Sequence, residues 1–151
     1  MDLYVVEPQT LFISYLSDVL ARADMDVVRI ATAFDLDDIE RAHPGAVFVD
    51  TDFLDAEPVS VVETLRGALP AAFIFAYVGD QTHHFGELLN AAGATGVLSK
   101  HSSATEVVSG IRDAVASGRF LDPRLTEPVE GARDEVRYVD LRSRQPSEAN
   151  G

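Results

Sequence analysis

Short apolar runs alternate with longer stretches of helical periodicity along most of this chain. The runs are rich in β-branched and aromatic residues, and they predict strands at 2–6, 26–31, 46–50, 72–78 and 95–99. Between them, apolar positions that recur every three to four residues predict helices at about 10–23, 35–42, 58–69, 80–92 and 103–117. Such alternation of strands and helices is typical of an α/β fold built on a parallel sheet.

The two middle runs, residues 46–49 and 73–76, are apolar at every position. A strand with one face in water would alternate apolar and polar residues, whereas a strand covered on both faces need not. We therefore expect these strands in the centre of the sheet, with helices on both of its faces.

The pattern changes near residue 121, because the last thirty residues are rich in proline and charge and have little apolar periodicity. The sequence thus predicts one domain over residues 1–121 and a polar, flexible tail over residues 122–151. Within that tail, a short amphipathic stretch at 136–141 is a candidate docking segment.

Composition narrows the classes of function. The 151 residues carry a formal net charge of −13, which would repel DNA phosphates and anionic lipid head groups. There is no cysteine, and no apolar stretch approaches the roughly 20 residues that span a bilayer. The N-terminus lacks the features of a secretion signal. We expect a cytoplasmic protein that binds neither nucleic acid nor membrane directly.

The only lysine, Lys100, follows the predicted fifth strand, while the other eleven basic residues are arginines. Asp50 ends the third strand, Asp52 lies two residues beyond it, and Glu7 ends the first strand. Ligands of open parallel sheets bind outside the carboxyl ends of the strands, so these side chains are expected to meet in one crevice. The compact ammonium of lysine can reach a carboxylate or phosphoryl group in such a narrow site.

Several carboxylates in one crevice repel each other unless a cation lies among them. Lys100 provides one positive charge, and an all-oxygen set of ligands would suit magnesium better than zinc. The alternative is that Glu7 and Asp50 only cap loops.

Three segments resemble the response-regulator receiver domain. They are the acidic end of the first strand (5–7), the strand that ends at Asp50 (48–50) and the segment that ends at Lys100 (93–100). The continuation over 106–123 is similar to the NarL-type subfamily. The resemblance covers roughly residues 2–121. It implies a flavodoxin-like, doubly wound, five-stranded parallel sheet in the strand order 2-1-3-4-5.

The resemblance also implies roles for the site residues. Asp50 would accept a phosphoryl group from a histidine kinase, and Lys100 would neutralise charge on the transferred group. Glu7, Asp50 and the main-chain carbonyl of Asp52 would hold Mg²⁺. The expected partners are a histidine kinase or another signalling protein and a second copy of this chain. Such a domain is not itself an enzyme.

The chain departs from the family at several positions. Val6 stands where a second acidic residue is usual, so the expected affinity for Mg²⁺ is weak. The switch positions fall on Ala76, which has no hydroxyl, and on Val97, which is not aromatic. Strand alternation is expected to point Tyr77 to the opposite face. His101 replaces the proline that usually follows the lysine.

The favoured function is therefore an atypical receiver domain with an impaired switch, which acts in two-component-type signalling through protein contacts. One alternative is an ordinary phosphorylatable receiver of a NarL-type transcription factor whose DNA-binding domain is not in this sequence. Another is a haloacid-dehalogenase-type phosphatase, since Asp50-Thr51-Asp52 resembles its nucleophile motif. Against that alternative, Asp50 lies on the third predicted strand rather than the first, and no downstream acidic pair follows. The sequence does not identify a cognate kinase or a regulated process.

Overall fold

A parallel sheet with helices on both faces forms the part of the chain that the structure, a computed structural model, describes: residues 1–79 and 84–125. The strands are β1 (Asp2–Val6), β2 (Asp26–Ala31), β3 (Ala46–Asp50), β4 (Phe73–Val78), β5 (Gly96–Ser99) and β6 (Phe120–Leu121). The helices are α1 (Ile13–Arg22), α2 (Leu36–Ala42), α3 (Pro58–Ala68), α4 (Phe85–Ala92) and α5 (Ala104–Ser117). Short 3-10 turns lie at Thr10–Phe12 and Pro123–Leu125.

The strand order is β2-β1-β3-β4-β5-β6, and every neighbouring pair is parallel. The predicted α/β class and the order of the first five strands are confirmed. The prediction of five strands is wrong, because Phe120 and Leu121 pair with Gly96 and Val97 and add a sixth strand. Two residues are too few to show a strand period, so the hydrophobic pattern did not reveal β6.

Alternate residues of each strand enter two separate hydrophobic clusters, one on each face of the sheet. On one face, buried side chains of β1, β3, β4 and β5 pack against α1 and α5; they include Val5, Phe48, Phe75, Tyr77, Leu98, Leu16 and Ile111. On the other, the intervening strand residues pack against α2, α3 and α4; they include Tyr4, Val49, Ala76, Val97, Ile39, Leu65 and Leu89. The prediction that helices cover both faces is confirmed.

Local sequence signals set the ends of the helices. α5 begins with a capping box in which Ser103 and Glu106 bind each other's backbone N–H groups, and it ends at Gly118 with φ of 84°. α3 has Pro58 in its first turn, and its N-cap residue Glu57 accepts hydrogen bonds from two backbone N–H groups. The predicted helix over 80–92 is seen as α4 from Phe85, and residues 80–83 lie outside the described part.

The chain that follows β6 packs against the domain as far as Leu125, which is buried. Asp122 is also buried and accepts a hydrogen bond from the hydroxyl of Ser102. Ser102 lies two residues after Lys100 in the chain. Arg124 forms an ion pair with Glu106 of α5 at 3.2 Å. These residues belong to the sequence-predicted tail, yet the packed structure includes them. The rest of that tail, with the stretch at 136–141, lies outside the described residues.

No helix within 1–79 and 84–125 is long and apolar enough to cross a membrane.

Candidate functional site

The carboxyl ends of β1, β3 and β5 bring Glu7, Asp50 and Lys100 together, with Asp52 beside them. The ammonium of Lys100 lies 2.7 Å from Asp50 Oδ1 and 2.8 Å from Asp52 Oδ2. Asp50 and Glu7 have no solvent exposure. The lone lysine and the acidic strand ends found in the sequence thus occupy one crevice, and their chemical roles remain predictions.

Backbone hydrogen bonds fix this arrangement. The N–H of Lys100 donates to the carbonyl of Val78 at 2.8 Å, which extends the pairing of β5 with β4 by one residue. The N–H of Thr51 donates to the carbonyl of Tyr77 at 3.0 Å, and the Thr51 hydroxyl donates to the same oxygen at 3.1 Å. The N–H of Asp52 donates a hydrogen bond to Asp50 Oδ1 at 2.9 Å. Asp50 Oδ1 therefore accepts from both a charged side chain and the backbone.

Burial dominates the electrostatics of Glu7. It raises the pKa of the Glu7 carboxyl to about 7, and the neighbouring carboxyl group of Asp50 adds to the rise. The N–H of Gln9 donates to Glu7 Oε2 at 2.9 Å and lowers the pKa in part. Glu7 Oε1 and Asp50 Oδ2 have no hydrogen-bond donor among the described residues, although both are buried. Because they belong to neighbouring carboxyl groups, a shared proton or a cation would satisfy both.

Lys100 remains charged in this setting. Burial lowers the pKa of its ammonium, but the hydrogen bonds and negative charges of Asp50 and Asp52 outweigh burial and raise the pKa above its usual value. Gly79 lies against Asp52, where a Cβ would collide with Asp52 Oδ2. Glycine at this position therefore allows the carboxylate of Asp52 to reach Lys100.

The donor set fits a hard cation such as Mg²⁺, because the two carboxylate oxygens without a donor come from Glu7 and Asp50. In the described part of the chain, no group of three or more acidic, histidine or cysteine side chains is placed to hold a metal ion. The main-chain carbonyl of Asp52 would have to complete the set, as the sequence analysis expected.

We expect Mg²⁺ to bind with a dissociation constant in the millimolar range or above, because few carboxylates compensate for its dehydration. NMR titration of the wild-type protein would measure the affinity, and Glu7→Gln would serve as the control that removes one ligand charge. Micromolar affinity would contradict this expectation.

The expected orientations of Ala76 and Tyr77 are wrong and are corrected by the strand register. Tyr77 pairs with Asp50, and its ring centroid lies 5.6 Å from the Lys100 ammonium. Ala76 is buried on the opposite face, where it pairs with Val49 and Val97. The residue of β4 that faces the acidic cluster is thus a tyrosine. The register between β3 and β4, which alternation along a single strand does not give, decides which residue faces Asp50.

Tyr77 is held firmly. Its ring packs on Phe48 with centroids 5.3 Å apart, and 6% of the residue is exposed. Burial is the main cause that raises the pKa of its phenol, and the nearby Tyr15 and Asp50 add to the rise.

Two further aromatic residues, Phe12 and Tyr15, lie at the site and were not among the residues predicted there from the sequence. The helical period over 10–23 predicts Phe12 on the apolar stripe that also carries Leu16 and Leu20. In the structure Phe12 is instead 43% exposed, and its ring centroid lies 5.8 Å from the Lys100 ammonium. Phe12 and Tyr15 line a cavity of about 450 Å³ together with Tyr77 and Lys100. The 3-10 turn at Thr10–Phe12 changes the phase of the chain before α1, so the α-helical period does not predict where Phe12 points.

The fold and this site define a class of structure: the chain has the fold of response-regulator receiver domains. A scan against models of protein families finds no match, and a search of curated proteins finds none either. Solved structures do match, at sequence identities of 20% or less for those described below.

The RcsB response regulator of Salmonella typhimurium superposes with a TM-score of 0.73 at 11% identity, over 83% of this chain and 63% of that one. This chain therefore spans less than two thirds of the RcsB structure. The signal receiver domain of a DNA-binding response regulator from Colwellia psychrerythraea 34H matches at a TM-score of 0.66 and 20% identity, over 78% and 99%. A LuxR-family two-component response regulator from Aurantimonas sp. SI85-9A1 matches at 0.67 and 20%, over 93% and 98%.

Proposed function

We propose that this chain is an atypical receiver domain of two-component-type signalling, which acts through protein contacts and has Asp50 as its phosphoryl acceptor. The observation that carries the proposal is the buried Asp50, whose Oδ1 binds the only lysine of the chain at 2.7 Å. The receiver fold of the matched structures supports it. A histidine kinase or another signalling protein is the proposed partner, with a second copy of the chain as a further one.

A carboxylate oxygen of Asp50 is the nucleophile in the proposed transfer. It would attack the phosphorus of a phosphohistidine; the new O–P bond forms as the P–N bond breaks, and the imidazole nitrogen keeps the electron pair and takes a proton. Lys100 and the N–H of Asp52 contact Asp50 Oδ1 and hold the carboxylate in place. Lys100 would stabilise negative charge on the phosphoryl oxygens.

Magnesium, when bound, would supply further positive charge at the phosphoryl group, and Glu7, Asp50 and the Asp52 carbonyl would hold it. Because Asp50 Oδ2 is buried, attack also requires a neighbouring side chain to move aside. We infer that transfer to Asp50 is slow for this reason.

Impaired switching is the second part of the proposal. In the family that the sequence resembles, a small hydroxyl residue at the end of the fourth strand follows the phosphoryl group. Here that place beside Asp50 belongs to Tyr77, which is nearly buried and packed on Phe48. Val97 is fully buried in the cluster that contains Leu89 of α4. A ligand shifts a two-state equilibrium only by its differential affinity for the two states, and these fixed side chains offer little difference.

The test is NMR of the full chain with beryllofluoride, a mimic of the phosphoryl group. We expect chemical-shift changes around Asp50 and Lys100, and little change over residues 85–99, which contain α4 and β5. Asp50→Asn should abolish the local changes, because the amide has no nucleophilic or metal-binding charge. Changes that spread through residues 85–99 in the wild type, and vanish in Asp50→Asn, would instead show an ordinary receiver.

Fewer observations support the two alternative functions, an ordinary phosphorylatable receiver and a phosphatase. An ordinary phosphorylatable receiver is favoured by the intact Asp50 and Lys100 pair alone. A phosphatase would need Asp52 as a free general acid, but Lys100 holds that carboxylate at 2.8 Å. We therefore propose that the chain is not an enzyme. The net charge of −13 and the receiver fold favour a cytoplasmic signalling role without direct contact to nucleic acid.

A further inference from the structure

The cavity beside Lys100 is large enough for a small molecule. Its volume of about 450 Å³ lies within the range of roughly 300–1,000 Å³ that is usual for small-molecule sites. Among residues 1–79 and 84–125, the lining is formed by Phe12, Tyr15, Tyr77 and Lys100. The proposed phosphoryl chemistry explains the lysine, but it does not explain why Phe12 and Tyr15 line the same cavity as Tyr77.

The aromatic side chains of the cavity differ in exposure: Tyr77 is nearly buried, whereas Phe12 and Tyr15 are partly exposed. Tyr77 is a fixed wall, since it is nearly buried and packs on Phe48. Phe12 and Tyr15 are 43% and 41% exposed, so their rings have faces that are not covered by the protein. Partly exposed rings around a cavity favour a flat aromatic ligand, because offset or edge-to-face ring pairs add to the gain from burial.

The charges decide which aromatic ligand fits. The ammonium group of Lys100 has three N–H donors, and two of them are used by the carboxylates of Asp50 and Asp52. One donor therefore remains for an oxygen in the cavity. Without a bound metal ion, the two carboxylates outnumber the single positive charge, so an anionic ligand would be repelled.

We propose that this cavity binds a neutral, planar aromatic molecule that carries a carbonyl oxygen. The ring lies against Phe12, Tyr15 and Tyr77, and the carbonyl oxygen accepts a hydrogen bond from Lys100. The inference does not depend on whether Asp50 accepts a phosphoryl group. Since Lys100 contacts both Asp50 and the cavity, an occupied cavity would also hinder approach to Asp50.

Menadione, a neutral naphthoquinone, is a suitable probe, and the absence of cysteine prevents its addition to a thiol. We expect saturable NMR shifts at the aromatic groups of Phe12, Tyr15 and Tyr77 when menadione is titrated into the full chain. Naphthalene lacks the carbonyl, and 2-naphthoate is anionic. The affinity of each should be at least about tenfold lower than that of menadione. Acetyl phosphate labelling of Asp50 is measured separately, so that failure of one proposal leaves the other testable.

Substitutions distinguish specific binding in this cavity from nonspecific hydrophobic binding. Phe12→Ala and Tyr15→Ala change partly exposed residues and should each weaken menadione binding about tenfold. Leu11→Ala is the matched control, because Leu11 is 92% exposed and does not line the cavity. Lys100→Met should reduce menadione binding to the level of naphthalene.

Unfolding curves of each variant identify any loss that is due to misfolding, and Tyr77→Phe, which keeps the ring, supplies a variant that is expected to fold and bind. The proposal is overturned if menadione causes no shifts at its solubility limit, if 2-naphthoate binds equally well, or if Leu11→Ala weakens binding as much as Phe12→Ala.

Discussion

Replacing Glu7 with glutamine is expected to stabilise the protein above neutral pH. Burial, aided by the neighbouring carboxyl group of Asp50, raises the pKa of Glu7 from 4.5 to about 7. The folded chain therefore keeps this proton up to about pH 7, whereas the unfolded chain releases it near pH 4.5. Between these values the folded state binds more protons, so the free energy of unfolding falls as the pH rises.

The size of the effect follows from the shift in the pKa. Each unit corresponds to about 1.4 kcal/mol, so the wild type should lose roughly 3 kcal/mol between pH 4.5 and pH 7.5 through this group. Glutamine has the shape of the protonated carboxyl and cannot ionise. Glu7→Gln should therefore abolish this part of the pH dependence and unfold at a higher denaturant concentration at pH 8.

Denaturant unfolding at pH 5 and pH 8, with a metal chelator present, measures the difference. Glu63→Gln on α3 is the matched control, because Glu63 is exposed and should leave the pH dependence of the wild type unchanged. If the free energies of wild type and Glu7→Gln stay parallel from pH 5 to pH 8, Glu7 is already ionised in the folded protein and the account of the site is wrong.

The crevice itself could be predicted because parallel strands have a shared geometry. Glu7, Asp50 and Lys100 each follow a short apolar run, and the carboxyl ends of such runs meet at one edge of the sheet. No contact between specific side chains had to be known. The fold was predictable for the same reason, since continuous apolar runs separated by helical periods leave few arrangements of the chain.

The orientation of β4 could not be obtained in this way. The predicted end of β4 at residue 78 is correct, but the position that faces Asp50 was assigned one residue too early, to Ala76 instead of Tyr77. A shift of one residue reverses the face of the sheet to which a side chain points. Phe12 was misplaced because a 3-10 turn precedes α1 and has a different period. β6 was missed because its two residues are held by the edge of β5 and show no pattern of their own.

The segment after β6 links the site to the end of the described chain. Ser102 follows Lys100 by two residues and donates to the buried Asp122, while Arg124 donates to the Ser102 hydroxyl at 3.1 Å. Leu121 and Leu125 lie against Gly86 of α4, where a Cβ would be 2.8 Å from Leu121 and 3.0 Å from Leu125. The chain's own residues thus occupy the groove beside α4 and β5, which is consistent with a face that changes little on ligand binding.

A second large effect is expected from Arg66, whose guanidinium joins two loops at the edge of the sheet opposite Lys100. Its acceptors are the carbonyl oxygens of Leu69, Pro70, Ala72 and Gly93 and the hydroxyl of Thr95, at distances from 2.7 to 3.2 Å. Burial lowers the pKa of Arg66, so these hydrogen bonds must compensate for a charge that is partly removed from water.

Arg66→Met keeps the aliphatic stem and leaves several carbonyl groups without a donor. Because each unsatisfied buried acceptor costs about 1–3 kcal/mol, and some will be reached by water, we expect a loss of roughly 3 kcal/mol in the free energy of unfolding. Arg66→Lys should recover only part of this loss, since one ammonium cannot replace a planar fork that reaches both loops. Denaturant unfolding at a fixed pH measures both variants.

Arg41→Met is the control for loss of an arginine charge, because Arg41 has 70% of its side chain exposed and makes one contact with Asp38 at 3.4 Å. An exposed ion pair of this kind contributes about 0–1 kcal/mol, so Arg41→Met should remain close to the wild type. Equal effects of Arg66→Met and Arg41→Met would mean that the hydrogen bonds of Arg66 do not stabilise the two loops. A large effect of Arg66→Met that Arg66→Lys fully restores would assign the stabilisation to charge rather than to the geometry of the guanidinium.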